Sequence, residues 1–272
     1  AAPSWPYMST REVAEYLRMR ERTIYDLVQS KRIPCVKVAG KWLFPTAEID
    51  RWVKGRRGEL GGVTPKVLAG SRDPLLDWCV AQSGCGLALC GGGSLSGLRQ
   101  VARGEAIACG IHMLDPAAGT YNETAIHEEL TGLDVVALEW ARREQGLVIA
   151  SGNPRELTGV EDLAKPDIRV IGRPEGSGGH ILLLHLLSVR GLDWQTLSRT
   201  ETPAQTGFEV GLAVLEGAAD VGLATRAVAR RLRLHFLPLT WERFDLVVRR
   251  WHFFEPPFQA LLAFAQANAA RV

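Results

Sequence analysis

Read from its amino end, the chain shows short stretches whose apolar residues recur at helical spacing. Ser9-Thr10-Arg11-Glu12 has the form of a capping box, and Val13, Ala14 and Leu17 supply the apolar face of the helix it opens. After Arg18-Met19-Arg20, the residues Ile24, Leu27 and Val28 repeat at i, i+3, i+4, which predicts a second short helix almost directly behind the first. Cys35 to Phe44 reads as two short strands around the glycine turn at Gly40, and Pro45-Thr46 opens a third helix with Ile49, Trp52 and Val53 on its apolar face. Ala1 to Tyr7 read as irregular. The segment from Lys54 to Gly62 mixes four glycines with charges, the composition of a flexible boundary.

Behind that boundary, short apolar runs alternate with helical patterns, which predicts α/β architecture. Strands are expected at Val67–Ala69, Leu87–Leu89, Ala108–Ile111, Leu147–Ile149, Ile168–Ile171, Val221–Leu223 and Leu246–Val248. Polar loops follow several of them and run into helices: Ser71-Arg72-Asp73-Pro74, with Asp73 as N-cap and Pro74 in the first turn, then Gly91 to Ser96, Gly176 to Gly179, and Thr206-Gly207-Phe208. Such loops aim free backbone N–H groups at an anion, and each helix end adds about half a positive charge.

With 272 residues, the chain has room for about two domains. Its formal charge of +2 looks unlike that of a nucleic-acid binder, but the charge is unevenly spread. Residues 1–60 carry a net +5 and residues 61–272 a net −3, so a small basic piece precedes a larger, mildly acidic one. An anion held in that larger piece is therefore expected to rely on oriented dipoles and hydroxyls, with little help from net positive charge. No run of 18 apolar residues predicts a membrane span, and the N-terminus lacks the basic start and apolar core of a signal peptide. The five cysteines, Cys35, Cys79, Cys85, Cys90 and Cys109, have no metal spacing and are expected to be small buried hydrophobes in a reducing cytoplasm.

Two short helices joined by so few residues, inside a basic segment, read as a helix-turn-helix. Arg20, Arg22, Thr23 and Tyr25 lie near the start of the second helix, where a recognition helix reaches base edges and phosphates; Lys37 and Lys41 flank the strand turn and could meet phosphate. A three-helix protein-interaction module with a solvated basic face is the alternative. Enzyme templates fail in turn. There is no phosphate-binding G-x-x-x-x-G-K-S/T, position 96 is Ser where G-x-G-x-x-G needs Gly, Ser94 and Ser96 lack G-x-S-x-G flanks, and His127-Glu128-Glu129 has no second histidine at zinc-site spacing. No metal site and no catalytic residue is expected. An enzyme would have to recruit His112 with Asp115 or Ser94.

The first fifty residues resemble the excisionase-type branch of the MerR-like winged helix-turn-helix families, through Ser9 to Leu17, Thr23-Ile24-Tyr25, Arg32-Ile33-Pro34 and Phe44-Pro45. Asp26 departs from the pattern, where many relatives look basic. Residues 66 to about 250 resemble the type 2 periplasmic-binding-protein-like domain, closest to the molybdate- and tungstate-binding branch. That likeness is carried by Gly70 to Leu76, Gly93 to Leu98, Gly104-Glu105-Ala106, Gly110 to Asp115, Gln145 to Pro154, Gly176-Ser177-Gly178 and Gly217 to Leu223.

Together these resemblances imply a bacterial, cytoplasmic, ligand-responsive transcription regulator that is not an enzyme and binds a double-stranded DNA operator as a homodimer, away from membranes. The implied fold class is α/β. A winged helix-turn-helix domain (8–54) and a linker (55–65) precede a two-lobed ligand-binding domain (66–272), with lobe one at 66–141 and 237–272 and lobe two at 142–236. The implied effector is a small oxyanion, molybdate or tungstate, with no other cofactor. Its contacts would come from Ser71, Arg72, Gly93 and Ser94 in lobe one and from Ser177, Gly178, Thr206, Gly207 and Thr225 in lobe two. Capping or turn roles are the alternative for several of these. His112 could bind ligand or brace a loop, and Arg72, Arg173 and Arg226 lie near the implied cleft. A regulator of the same architecture sensing a small organic molecule is the alternative: Asp73 weighs against an anion unless it points into a helix end or pairs with arginine, and would suit an organic ligand with an amine.

Overall fold

The computed structural model describes residues 6–30, 33–56 and 64–269, and the chain divides into two units, Ala1–Thr64 and Pro65–Val272. Ala1 to Trp5, Arg32 and the 57–63 stretch of the expected linker lie outside the described residues.

In the first unit, β1 (Tyr7–Ser9) leads directly into α1 (Thr10–Leu17). The capping box closes in both directions: Ser9 Oγ accepts from the Glu12 N–H at 3.3 Å, and the Glu12 carboxylate accepts from the Ser9 N–H at 2.7 Å. Next come α2 (Glu21–Gln29), β2 (Val36–Val38), β3 (Lys41–Pro45) and α3 (Thr46–Arg56). The β2–β3 hairpin turns on Ala39 and Gly40, both at positive φ, the geometry that matches the twist of paired strands. Met8, Val13, Ala14, Ile24, Val28, Ile33, Phe44 and Ile49 form the core. Two expectations change. Tyr7 is not irregular but pairs with Pro45 as the first residue of β1, and Val53 is exposed, leaving Ile49 and half-buried Trp52 as the packed face of α3. The last helix also continues through Arg56, two residues into the stretch expected as linker.

The second unit is built on a seven-stranded sheet. Its elements in chain order are β4 (Val67–Gly70), α4 (Pro74–Ser83), β5 (Ala88–Gly91), α5 (Ser94–Arg103), β6 (Ala108–Ile111), β7 (Leu114–Asp115), β8 (Thr120–Tyr121) and α6 (Glu123–Glu129). They continue with β9 (Val135–Ile149), β10 (Val170–Ile171), α7 (Gly178–Val189), α8 (Gly207–Leu215), β11 (Val221–Thr225), α9 (Arg226–Leu232), β12 (His235–Arg249), α10 (Arg250–Phe253) and α11 (Pro256–Ala267). The strand order is β10-β11-β9-β12-β6-β4-β5.

Two strands carry the chain between lobes. One end of the antiparallel β9–β12 ribbon lies beside β6, β4 and β5, and the other beside β11 and β10. Separate cores form at the two ends, one around Leu68, Leu76, Phe244 and Phe258, the other around Leu147, Leu163, Leu182 and Val221. Register shifts at Pro238/Thr240 and Phe244/Asp245 bracket the crossing. The apolar pattern predicts only Leu147–Ile149 and Leu246–Val248 of these two long strands. The charges of Arg142 to Glu144 and Glu242-Arg243 interrupt that pattern, although the hydrogen-bond ladder runs through them. Leu237, expected in lobe one, packs with Leu239 on the lobe-two core, because the strand crosses further along the chain.

Candidate functional site

The proposed DNA-reading side chains share one property: Arg20, Arg22, Thr23, Tyr25, Lys37 and Lys41 are all exposed. Arg20 is the N-cap of α2 and makes no side-chain capping bond. Lys37 lies on the β2–β3 hairpin, its Nζ 5.3 Å from the centroid of Trp42, and Lys41 opens β3 just past the turn. Cations presented this way act on phosphate through long-range, salt-screened attraction.

The second unit holds a cleft whose first compartment, about 700 Å³, is built from strand ends and helix starts of both lobes. From lobe one come Ser71 after β4 and the Gly93-Ser94 start of α5; from lobe two come Ser177 and Thr206-Gly207 at the starts of α7 and α8. Ser71 and Ser94 meet because nothing larger than glycine fits beneath them: a Cβ on Gly97 would stand 2.5 Å from the Gly70 Cα. Both serines are buried, with their oxygens 2.9 Å apart, and Ser94 Oγ also accepts from the His112 N–H at 3.1 Å. Neither serine caps a helix; Asp73 and Gly93 hold those positions. The pair has two hydroxyl protons and spends one internally, so one O–H remains to donate into the cleft.

The lobe-two hydroxyls are differently placed. Ser177 Oγ accepts from the His180 N–H, and Thr206 Oγ1 both accepts from the Glu209 N–H and donates to its carboxylate. What these residues offer the cleft is therefore the positive end of their helices more than their side chains. Gly178 does not line the cleft. It packs against His112, whose carbonyl oxygen would lie 2.3 Å from any Cβ there. Thr225 lines only a second, adjoining compartment of about 550 Å³.

Arginines surround this cleft, although residues 61–272 carry a net charge of −3. Arg72, Arg99, Arg103 and Arg173 line the first compartment, since a domain-wide sum says nothing about where individual charges stand. Arg72 is clamped by Asp77 through two bonds of 2.8 Å, and Arg99 and Arg103 pair with Glu129 and Glu105. Arg226 is turned to Glu144 and lines neither compartment. Arg173 differs. Its Nε and one Nη donate to the carbonyl oxygens of Ala204 and Gln205 at 2.9 and 2.7 Å, and it has no ion-pair partner among the described residues. Partial burial lowers its pKa from the ordinary arginine value.

At the crossing strands, Arg143 and Glu242, which no sequence expectation singles out, join His112 and Asp73 in one cluster. Arg143 on β9 faces Glu242 on β12 in direct register and pairs with it, and also reaches Asp73 Oδ2 at 3.3 Å. His112 Nδ1 lies 3.0 Å from the other Glu242 oxygen. Burial alone would raise the Glu242 pKa, but Arg143 and His112 outweigh it and hold the carboxyl at about 2. Asp73 spends its other oxygen on the Leu76 N–H at 3.0 Å, so it points into a helix end and also pairs with arginine. The usable signal is the run of charges within two long strands, Arg142 to Glu144 on β9 and Glu242-Arg243 on β12, yet only the register shows that Arg143 and Glu242 meet. His112 thus braces the crossing and lines both compartments. Among the described residues no group of His, Cys, Asp and Glu could hold a metal, and no helix is long and apolar enough to cross a membrane. Cys79, Cys85 and Cys109 are buried, but Cys35 is half-buried and Cys90 exposed, a departure from the expected uniform burial.

Residues 79–266 match the family described as PBP superfamily domain, and residues 7–57 match the helix-turn-helix domain family. The Bacillus subtilis uncharacterized protein YvgK is 30% identical over 156 residues, covering 57% of this chain; the chain spans about half (51%) of that relative's length. Among solved structures, the effector-binding domain of QuiR in complex with shikimate is similar at a TM-score of 0.54 and 13% identity, over 75% of this chain and 96% of that one. A phosphate ABC transporter substrate-binding protein from Clostridium perfringens with bound phosphate is similar at a TM-score of 0.54 and 12% identity, over 73% and 91%. At these identities the likeness concerns the fold.

Proposed function

The chain belongs to the PBP superfamily, and from that premise, with a helix-turn-helix domain at its amino end, we propose that it is a cytoplasmic, ligand-responsive transcription regulator. It acts by binding and not by turnover. Arg20, Arg22, Thr23 and Tyr25 read operator DNA, Lys37 and Lys41 hold phosphate, and two copies engage paired half-sites. The observation that carries the ligand reading is the meeting of a buried Ser71–Ser94 hydroxyl pair, three helix starts and the unpaired Arg173 in one cleft.

That set suits a small oxyanion, and molybdate or tungstate is the specific reading. One free hydroxyl proton, backbone N–H groups of α5, α7 and α8, and the half-buried Arg173 guanidinium can each donate to a different oxygen. The amine-bearing alternative loses its support because both Asp73 oxygens are engaged by Arg143 and the Leu76 N–H. The similar phosphate- and shikimate-bound proteins favour anions in this fold, one inorganic and one organic. Moving a conformational equilibrium from 1:99 to 99:1 requires a preference of about 5.5 kcal/mol for one state. Several contacts of about 1 kcal/mol each, complete only with the lobes closed on the ion, would supply it.

A thermal-shift series with molybdate, tungstate, sulfate, phosphate and an amine library tests this assignment. Stabilisation by at least one oxyanion is expected; stabilisation by amines alone would overturn it.

A further inference from the structure

The two compartments of the cleft differ in character. The second shares Arg72, His112, Arg173, Thr206 and Gly207 with the first, then adds an apolar surface from Trp78, Phe208, Leu223 and Val228. Trp78 belongs to α4 of lobe one and Phe208 to α8 of lobe two, so the lobes each contribute an aromatic side chain to one space. They remain 39% and 37% exposed, although each is braced within its own lobe: Trp78 against Phe264 at 5.2 Å between centroids, and Phe208 under the Arg231 guanidinium at 5.2 Å. Arg231 also lines this compartment and, like Arg173, has no ion-pair partner among the described residues. A bare tetrahedral ion would occupy the serine side and leave the aromatic side wet.

We propose that the cleft also takes a larger effector, an oxyanion carried on a flat organic ring. The oxyanion sits at Ser71, Ser94 and Arg173, and the ring enters the second compartment between Trp78 and Phe208, beside Arg231. Rings favour offset or edge-on contact with other rings, and an electron-rich ring also attracts a guanidinium, so this wall selects a planar body over an aliphatic one of equal size. Arg173 lies where the compartments join, which places the head and the ring of one molecule on its two sides. The proposal rests on the reading of this cleft as an anion site and extends it: inorganic oxyanions fill only the first half.

Calorimetric titration of the full chain with phosphate, phenyl phosphate, cyclohexyl phosphate and molybdate tests it. Phenyl phosphate is expected to bind at least tenfold more tightly than phosphate and more tightly than cyclohexyl phosphate. Trp78→Ala and Phe208→Leu should bring the ratio of phenyl phosphate to phosphate affinity to within twofold of one. The second variant keeps apolar bulk without the ring and so guards against loss of packing. Equal binding of phosphate and phenyl phosphate, or an advantage that survives in both variants, would overturn the ring site and leave the anion site standing. Failure of all four probes, molybdate included, would remove the anion site and the inference with it.

Discussion

The same side chain does opposite work at the two ends of this protein. In the amino-terminal unit, Arg20 and Arg22 stand in solvent around the start of α2. In the cleft, Arg143 is held between Asp73 and Glu242, and Arg173 is half-buried and bonded to two carbonyls. Exposed cations supply attraction that any polyanion feels and that salt weakens. Half-buried cations supply position: each is held at one place by partners, and in the proposed function the one left without an ion pair meets the ligand. Net charge, +5 for residues 1–60 and −3 for the rest, describes the first kind and conceals the second.

The largest expected effect lies at the crossing strands. Glu242→Leu removes the buried carboxylate that Arg143 and His112 share, leaving Arg143 with Asp73 as its ion-pair partner, and breaking such a pair costs about 3–5 kcal/mol, read as a lower urea midpoint. The pH dependence has a definite sign. The folded-state pKa of Glu242 is about 2, below its ordinary 4.5, so its stabilisation is complete above pH 4.5 and is lost as pH falls from there toward 2. Unfolding free energy measured across that window should fall in the parent, and Glu242→Gln should flatten the slope.

Next in size is the ligand response. Replacing Arg173 with Gln removes the one first-compartment cation without an ion-pair partner among the described residues. It should weaken oxyanion binding 10- to 100-fold in titration, as expected for a charged hydrogen bond of about 1.5–3 kcal/mol. Arg99→Gln, which removes a cation already paired with Glu129, should change the same affinity by less than threefold. If the two variants behaved alike, the distinction between paired and unpaired cleft arginines would fail.

How much of this is legible in the sequence follows the same division. The capping box at Ser9, the Ala39-Gly40 turn between two strands, and the Asp73-Pro74 helix start are legible because each is a local signal within a few residues. Ser71 and Ser94 stand out as loop residues, but their meeting depends on Gly97 letting α5 settle onto β4, a matter of packing across 23 residues of sequence. The Arg143–Glu242 pair is illegible. It joins positions 143 and 242 through strand register, and its charges mask the very strands that carry it. Val53 shows the converse: helical spacing suits it to a core, yet within α3 its side chain stays exposed while Ile49 is buried.

The smallest effect is expected at the DNA face. Arg22→Ala combined with Lys41→Ala should weaken binding to a selected operator fragment and reduce the slope of log K against log salt by about 2, roughly 0.9 for each phosphate that is no longer neutralised. Oxyanion affinity should not change. An unaltered slope would assign these cations to something other than DNA.

The central claim is that the two units are coupled through the ligand. Fluorescence anisotropy of a selected operator fragment, titrated with the full chain with and without saturating molybdate, tests it directly. Coupling of about 1–3 kcal/mol would change the DNA Kd by about 5- to 150-fold, an effect abolished by Arg173→Gln. An identical Kd under both conditions, with molybdate shown to be bound, would contradict it.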